Sequence, residues 1–170
     1  PLGHPAFIAR KLNQITTDHE LFLERLQSLG DLQCSWLLLL MSAAARANFY
    51  LRSLPPSLTA EFARRYDSNV WTTLRNLLVI ASEEEARVTA ALVSQLPLRS
   101  GGLGLRSAAR TAPAAWWASW ADSLQMIRAR HPTLATRFQE DLNRHEGALA
   151  PCIREVAAAN DTLREEGFHD

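Results

Sequence analysis

The residues of this 170-residue chain that could do chemistry are few, and their spacing argues against most of it. Five histidines, His4, His19, His131, His145 and His169, never stand four apart with a glutamate between them. The helical zinc-hydrolase arrangement, two imidazoles on one face beside a carboxylate base, is therefore absent. No GxSxG elbow presents a serine nucleophile, and no GK[ST] follows the glycines to hold a nucleotide phosphate. The run Gly101-Gly102-Leu103-Gly104 also differs from the dinucleotide-binding GxGxxG. Carboxylates at 18, 20, 24 and 31 read as solvated helix faces rather than as a metal pair. Cys34 and Cys152 are far apart, without a CxxC or Cys/His cluster, which argues against structural zinc and a disulfide framework. Both read as buried, reduced thiols. No catalytic residue, metal site, cofactor or small-molecule substrate is expected from these patterns.

Binding chemistry has better material. The formal net charge is zero, yet its distribution is uneven: +2 over 1–81, −3 over 82–85, +5 over 86–130 and −4 over 131–170. The positive block contains a joint, 96–107, in which Gly101, Gly102 and Gly104 are flanked by Arg99 and Arg106, with Arg110 a turn further on. Glycines permit positive φ and close approach of another group. A helix starting near Ser107 would add free amides and a dipole, which suit an anion. The competing reading is a tight connection between packed helices with arginine on the solvated side, and spacing alone favours it. Arg46 and Arg52, at the far end of an apolar run, are candidates for phosphate or for a carboxylate such as Asp67. Every basic residue except Lys11 is arginine, whose planar fork suits bidentate phosphate contact. Trp116, Trp117 and Trp120 could stack on bases, but among so many alanines they read first as core or interface aromatics.

The elements that would hold these groups read as helices. Ile8, Leu12 and Ile15 recur at helical spacing, and Thr16-Thr17-Asp18 looks like an interruption, with Asp18 capping a second helix through Leu29. Asp31 can cap the next, whose apolar residues from Leu32 to Ala45 cover nearly the whole circumference and predict a central buried helix. Pro55-Pro56 ends it, and Ser57 is the expected cap of a helix on Phe62, Tyr66, Val70 and Leu74. Ser82 with Glu85 forms a capping box, Pro97 stops that helix, and Pro113 is tolerable only in a first turn or at a kink. His131-Pro132 and Gly147 bound the next helix, and 151–166 forms a last, acidic one. No stretch alternates with period two, so the expectation is an all-α, irregular bundle of six to eight helices. The domain division expected is 1–130, with 131–170 packed on it or loosely attached. The apolar stretch 36–45 is about half of the roughly 20 residues a bilayer span needs. Together with the lack of a signal-like start, it predicts no membrane partner and an intracellular, cytoplasmic or nuclear setting.

Three segments share a further likeness. LPLRSGGLGLRSAARTAPAAWWASWAD (Leu96–Asp122), DLQCSWLLLLMSAAARANFYLRSLPP (Asp31–Pro56) and the opening PLGHPAFIARKL resemble, in content and order, the C-terminal part of non-LTR, LINE-like retrotransposon reverse transcriptases. The resemblance covers about residues 1–130 and is most specific over Pro97–Leu105; the tail after 131 has no counterpart. It implies a thumb and linker region of an RNA-directed DNA polymerase, bracing an RNA–DNA or duplex template–primer and adjoining a palm domain. Arg46, Arg52, Arg99, Arg106 and Arg110 would then contact phosphates, which positions a duplex without reading its sequence. The palm's YxDD motif is missing and no Asp-Asp pair occurs, so two-metal nucleotidyl transfer has no centre in this chain. The alternative expectation is a helical protein-interaction domain, or an inactive relic, without nucleic-acid binding.

Overall fold

The computed structural model describes residues 4–79, 84–144 and 150–168, with backbone alone over 84–87. Among them there is no strand. The elements are α1 (Pro5–Gln27), α2 (Leu32–Leu38), a π turn (Leu39–Ala43), α3 (Asn48–Ser53), α4 (Pro56–Leu78), α5 (Glu84–Gln95), a 3₁₀ turn (Leu98–Ser100), α6 (Ala108–Arg130), α7 (Pro132–Asn143) and α8 (Pro151–Glu165). Leu32 to Ser53 runs as one helical stretch, so the described helices number seven by that count, within the six to eight that periodicity predicts. They form two compact units interleaved in sequence: Pro1–Ala47 with Glu61–Ala109, and Asn48–Ala60 with Arg110–Asp170. Charge, by contrast, divides the chain at 130. The predicted cap Ser82 and stop Gly147 lie outside the described residues.

In the first unit, α1 buries Ile8, Leu12, Thr16, His19, Leu23 and Leu26, one face at three- and four-residue steps. The interruption expected at Thr16-Thr17-Asp18 does not occur. Both threonine hydroxyls donate back to carbonyls one turn earlier, Thr16 to Leu12 at 2.9 Å and Thr17 to Asn13 at 3.2 Å, so they support the helix instead of opening it. Gly30, at φ +70°, makes the turn. Asp31 caps α2 as expected, accepting from the Cys34 amide at 2.8 Å. That bond, made to the ionised carboxylate, holds the Asp31 pKa below its ordinary value.

The run after Asp31 is not buried all round. Ser35, Leu39, Ala43, Ala44 and Ala47 are covered, while Cys34, Leu37, Leu38 and Met41 face outward, Met41 with 73% of its surface exposed. A unit of this size has too few helices to encircle one of its own, so the apolar circumference is covered on one side only. The reading of both cysteines as buried thiols fails for a related reason, since Cys34 lies on that open face and Cys152 in the exposed first turn of α8. On α4, Phe62, Tyr66, Val70 and Leu74 are buried as the spacing predicts. This helix starts two residues earlier than a Ser57 cap implies, at Pro56, whose fixed φ suits a first helical position, and the Pro55 carbonyl accepts from Leu58 and Thr59.

The second unit buries Leu51, Thr59, Ala112, Ala135, Ile153, Val156 and Ala159. Its core is built mostly from alanine faces and two branched residues of α8. Arg52 of α3 pairs with Asp122 of α6 at 2.7 Å, and the Ser57 amide donates to Glu155 of α8 at 3.4 Å. Pro113 stands inside α6 as its sixth residue. Lacking an amide, it leaves out one rung of the helical ladder.

Candidate functional site: the glycine joint and its arginines

The chain leaves α5 through a loop closed by its own backbone. Ser100 and Gly102 donate to the Pro97 carbonyl at 2.8 and 3.2 Å, Gly101 to Leu98 at 3.1 Å, Gly104 to Leu96 at 2.8 Å and Leu105 to Ser94 at 3.0 Å. Two glycines are needed for different reasons. Gly101 takes φ +78° with open space around it, so what matters there is the left-handed backbone. At Gly102 a Cβ would fall 2.1 Å from the Leu96 carbonyl oxygen, so what matters is close approach. With these five amides engaged, the loop is a structural joint and offers no ring of free donors to a phosphate.

The N-terminus of α6 is likewise filled. Asp67, projecting from α4, accepts from the Ser107 hydroxyl at 2.6 Å, from the Ala108 amide at 2.6 Å and from the Ala109 amide at 3.0 Å. An anion does sit where amides and dipole favour one. It belongs to the protein, and it joins α6 to α4. Sequence reading missed this because the carboxylate and the two amides are 41 and 42 positions apart, and no local pattern reports such a pairing.

The five arginines have different surroundings. Arg46 lies over the Phe22 ring, 5.0 Å from its centroid, which is a cation–π geometry. Arg52 is held by Asp122. Arg99 and Arg106 are exposed and make no ion pair with the described residues, and Arg110 is exposed in the first turn of α6. Trp116 and Trp120 meet edge to face at 6.2 Å, and Trp120 meets Phe138 of α7 in the same manner at 5.9 Å. All three tryptophans are half-buried, and the buried indole nitrogen of Trp116 has no hydrogen-bond partner among the described residues.

A buried histidine went unnoticed in the sequence because a lone His in an apolar helix carries no spacing signal. His19 stacks on Tyr66 at 4.0 Å between centroids and 10° between planes, and neither ring nitrogen has a hydrogen-bond partner among the described residues. Tyr66 in turn donates its hydroxyl to the Ala43 carbonyl, at the end of the π turn, at 2.5 Å. Burial pushes the His19 pKa down to about 4, Arg46 pushes the same way, and Glu20 opposes them weakly. Glu20 is itself held by Arg65 at 2.9 Å and Asn69 at 3.0 Å.

No group of three or more His, Cys, Asp or Glu among the described residues is placed to hold a metal. By length and composition alone Leu32–Ser53, with an 18-residue window of mean hydropathy 1.2, is long and apolar enough to cross a bilayer, although Arg46 and Arg52 lie within it. No family model matches the chain, and neither the curated proteins nor the solved structures give a match.

Proposed function

We propose that this chain is a non-catalytic helical segment of a retrotransposon reverse transcriptase, an RNA-directed DNA polymerase, that packs on the polymerase core and helps brace the template–primer duplex. The observation that carries the packing half is the outward face of α2 and the π turn. Cys34, Leu37, Leu38 and Met41 recur at 3, 1 and 3 residues, no charge occurs between Asp31 and Arg46, and the face lies within one of the three segments that carry the resemblance. A contiguous apolar stripe of this kind marks a surface that another protein covers. The bracing half rests on Arg99 and Arg106, the exposed arginines beside the joint, whereas Arg46 and Arg52 already hold Phe22 and Asp122.

Two measurements test this. Translation of the gene immediately upstream of Pro1 should give an in-frame palm with a YxDD motif; a different domain there overturns the origin. Filter binding to an RNA–DNA duplex should weaken as salt rises and weaken further in Arg99→Ala/Arg106→Ala. If the double variant binds as well as the parent, the phosphate assignment fails. A second reading, a helical protein-interaction domain without nucleic-acid binding, rests on the same apolar face. It is supported if the chain self-associates on size exclusion and shows no duplex affinity at low salt.

A further inference from the structure

The junction of α6 and α7, within the second unit, sets a hydroxyl among arginines that the reading above does not use. Only Ser28, Ser68 and Thr133 follow an arginine by three positions, and of these Thr133 alone has a second arginine five positions before it, in Arg128-Ala129-Arg130-His131-Pro132-Thr133. Structure separates the three further. The Ser28 hydroxyl donates to the Arg25 carbonyl at 2.7 Å, and Ser68 lies in the middle of the 23-residue α4. The Thr133 hydroxyl makes no hydrogen bond with a described residue, whereas Thr136 on the same helix donates to the Pro132 carbonyl at 3.1 Å. Access is open as well. Every residue from 128 to 134 is exposed. Arg128 and Arg130 are in the last turn of α6, His131 between the helices is non-helical at φ −141° and ψ 70°, and Thr133 is the second residue of α7. Helix ends open at little cost, so this segment can be taken up as an extended strand without disturbing the core.

We propose that Thr133 is a phosphorylation site for a serine/threonine kinase whose substrate groove sets carboxylates opposite the third and fifth positions before the acceptor, and that the phosphate then holds the start of α7. Those carboxylates take Arg130 and Arg128, a charge pattern of the kind by which kinases select substrates. In the transfer the Thr133 Oγ1 bonds to the γ-phosphorus of ATP, the bond from that phosphorus to the ADP oxygen breaks, and the hydroxyl proton passes to the kinase's catalytic aspartate. The product places nearly two negative charges in the first turn of α7. That turn has no side-chain cap from His131, and the Leu134 and Ala135 amides already donate to the His131 carbonyl at 3.1 Å each. What a phosphate meets there is therefore the helix dipole and side-chain charge. Arg137 supplies the charge: it stands four residues on, on the same helix face, exposed and without an ion pair among the described residues. Holding the first turn steadies the helix that carries Phe138 against Trp120. This inference is independent of the polymerase reading, since it concerns other residues and a covalent change.

The full chain is incubated with magnesium ATP and a serine/threonine kinase that requires arginine at those two positions, and the phosphate is located by tandem mass spectrometry. One phosphate is expected at Thr133 and none at Thr136, with the rate about tenfold lower in Arg130→Ala, which removes a charged pair with the kinase. Thr133→Ser, keeping a hydroxyl, should still be modified. Should Arg130→Ala lose helix by circular dichroism, Arg130→Gln, which keeps most of the aliphatic stem, is read in its place. Hydrogen exchange then reads the consequence. The first turn of α7 should exchange about fivefold more slowly in the phosphorylated chain, and Arg137→Ala should remove most of that gain. An unmodified Thr133, or an undiminished rate in the folded Arg130 variant, overturns the site. A modified Thr133 with exchange unchanged or faster, or with the slowing intact in Arg137→Ala, overturns the hold on α7.

Discussion

The two units solve the problem of polar groups in opposite ways. In the first, the groups that could have reached outward are turned inward. Asp67 occupies the α6 N-terminus, five joint amides bond their own chain, and Glu20 takes Arg65 and Asn69. In the second, Trp117, Trp120, Phe138 and Leu142 border a cleft of about 290 Å³ that no described residue fills. The glycine-rich joint, conspicuous in sequence, is thus structural and closed, whereas the tryptophan helix, bland in sequence, borders open space. A distinctive motif identifies where backbone geometry is demanding. Where binding capacity lies depends on which polar groups folding has left over.

The comparison is tested most strongly by equal truncations in the two units. Leu74, 1% exposed in the first, should lose about 3 kcal/mol on Leu74→Ala, because transfer and cavity terms both apply. Leu142, half-buried against a cleft that already exists, should lose about 1 kcal/mol on Leu142→Ala, since little new cavity is made. Urea denaturation of both variants gives the numbers; equal losses would mean the second unit is packed as tightly as the first. Next in size is Asp67→Ala, which strips three hydrogen bonds from the α6 start and should cost about 2 kcal/mol. Asp67→Asn, keeping one acceptor oxygen, should recover part of it. A loss below about 0.5 kcal/mol on Asp67→Ala would show that water or an outside anion serves that terminus equally well.

Local rules were legible in the sequence and pairings across the chain were not. The Asp31 cap, the break at Pro55-Pro56 and the buried stripe Phe62, Tyr66, Val70 and Leu74 each depend on residues within a turn or two of one another. The same logic failed at Thr16 and Thr17, where a hydroxyl can either cap a new helix or bond back to the old one, and burial of Thr16 decides for the second. It failed again at Leu32–Ala45. Apolar character measures what a helix could bury, while the number of neighbours determines what it does bury. Of the candidate site, the glycines and arginines were found by type and spacing. What sequence could not supply was their engagement: Arg46 on Phe22, Arg52 on Asp122, and Asp67 on amides 41 and 42 residues away.

The smallest effect concerns His19, whose ring nitrogens have no hydrogen-bond partner among the described residues, an exception within the closed region. Its folded pKa, about 4, lies below the ordinary 6.5. Well above pH 6.5 the ring is neutral whether the chain is folded or not, and it contributes no pH dependence. As pH falls below 6.5 the unfolded chain takes up a proton that the folded chain refuses, so stability declines until the pH reaches about 4, where the folded ring also protonates. Between pH 7.5 and 5.5 the loss should be about 1 kcal/mol. His19→Phe, which keeps a flat ring against Tyr66, should flatten that part of the stability profile without raising stability at pH 7.5 by a similar amount. Carboxylates lose their charge mainly below pH 5, so the window from 7.5 to 5.5 isolates the histidine. If the variant and the parent decline in parallel across it, His19 is reached by water or protons in the folded state, and the first unit is less closed than its hydrogen bonds indicate.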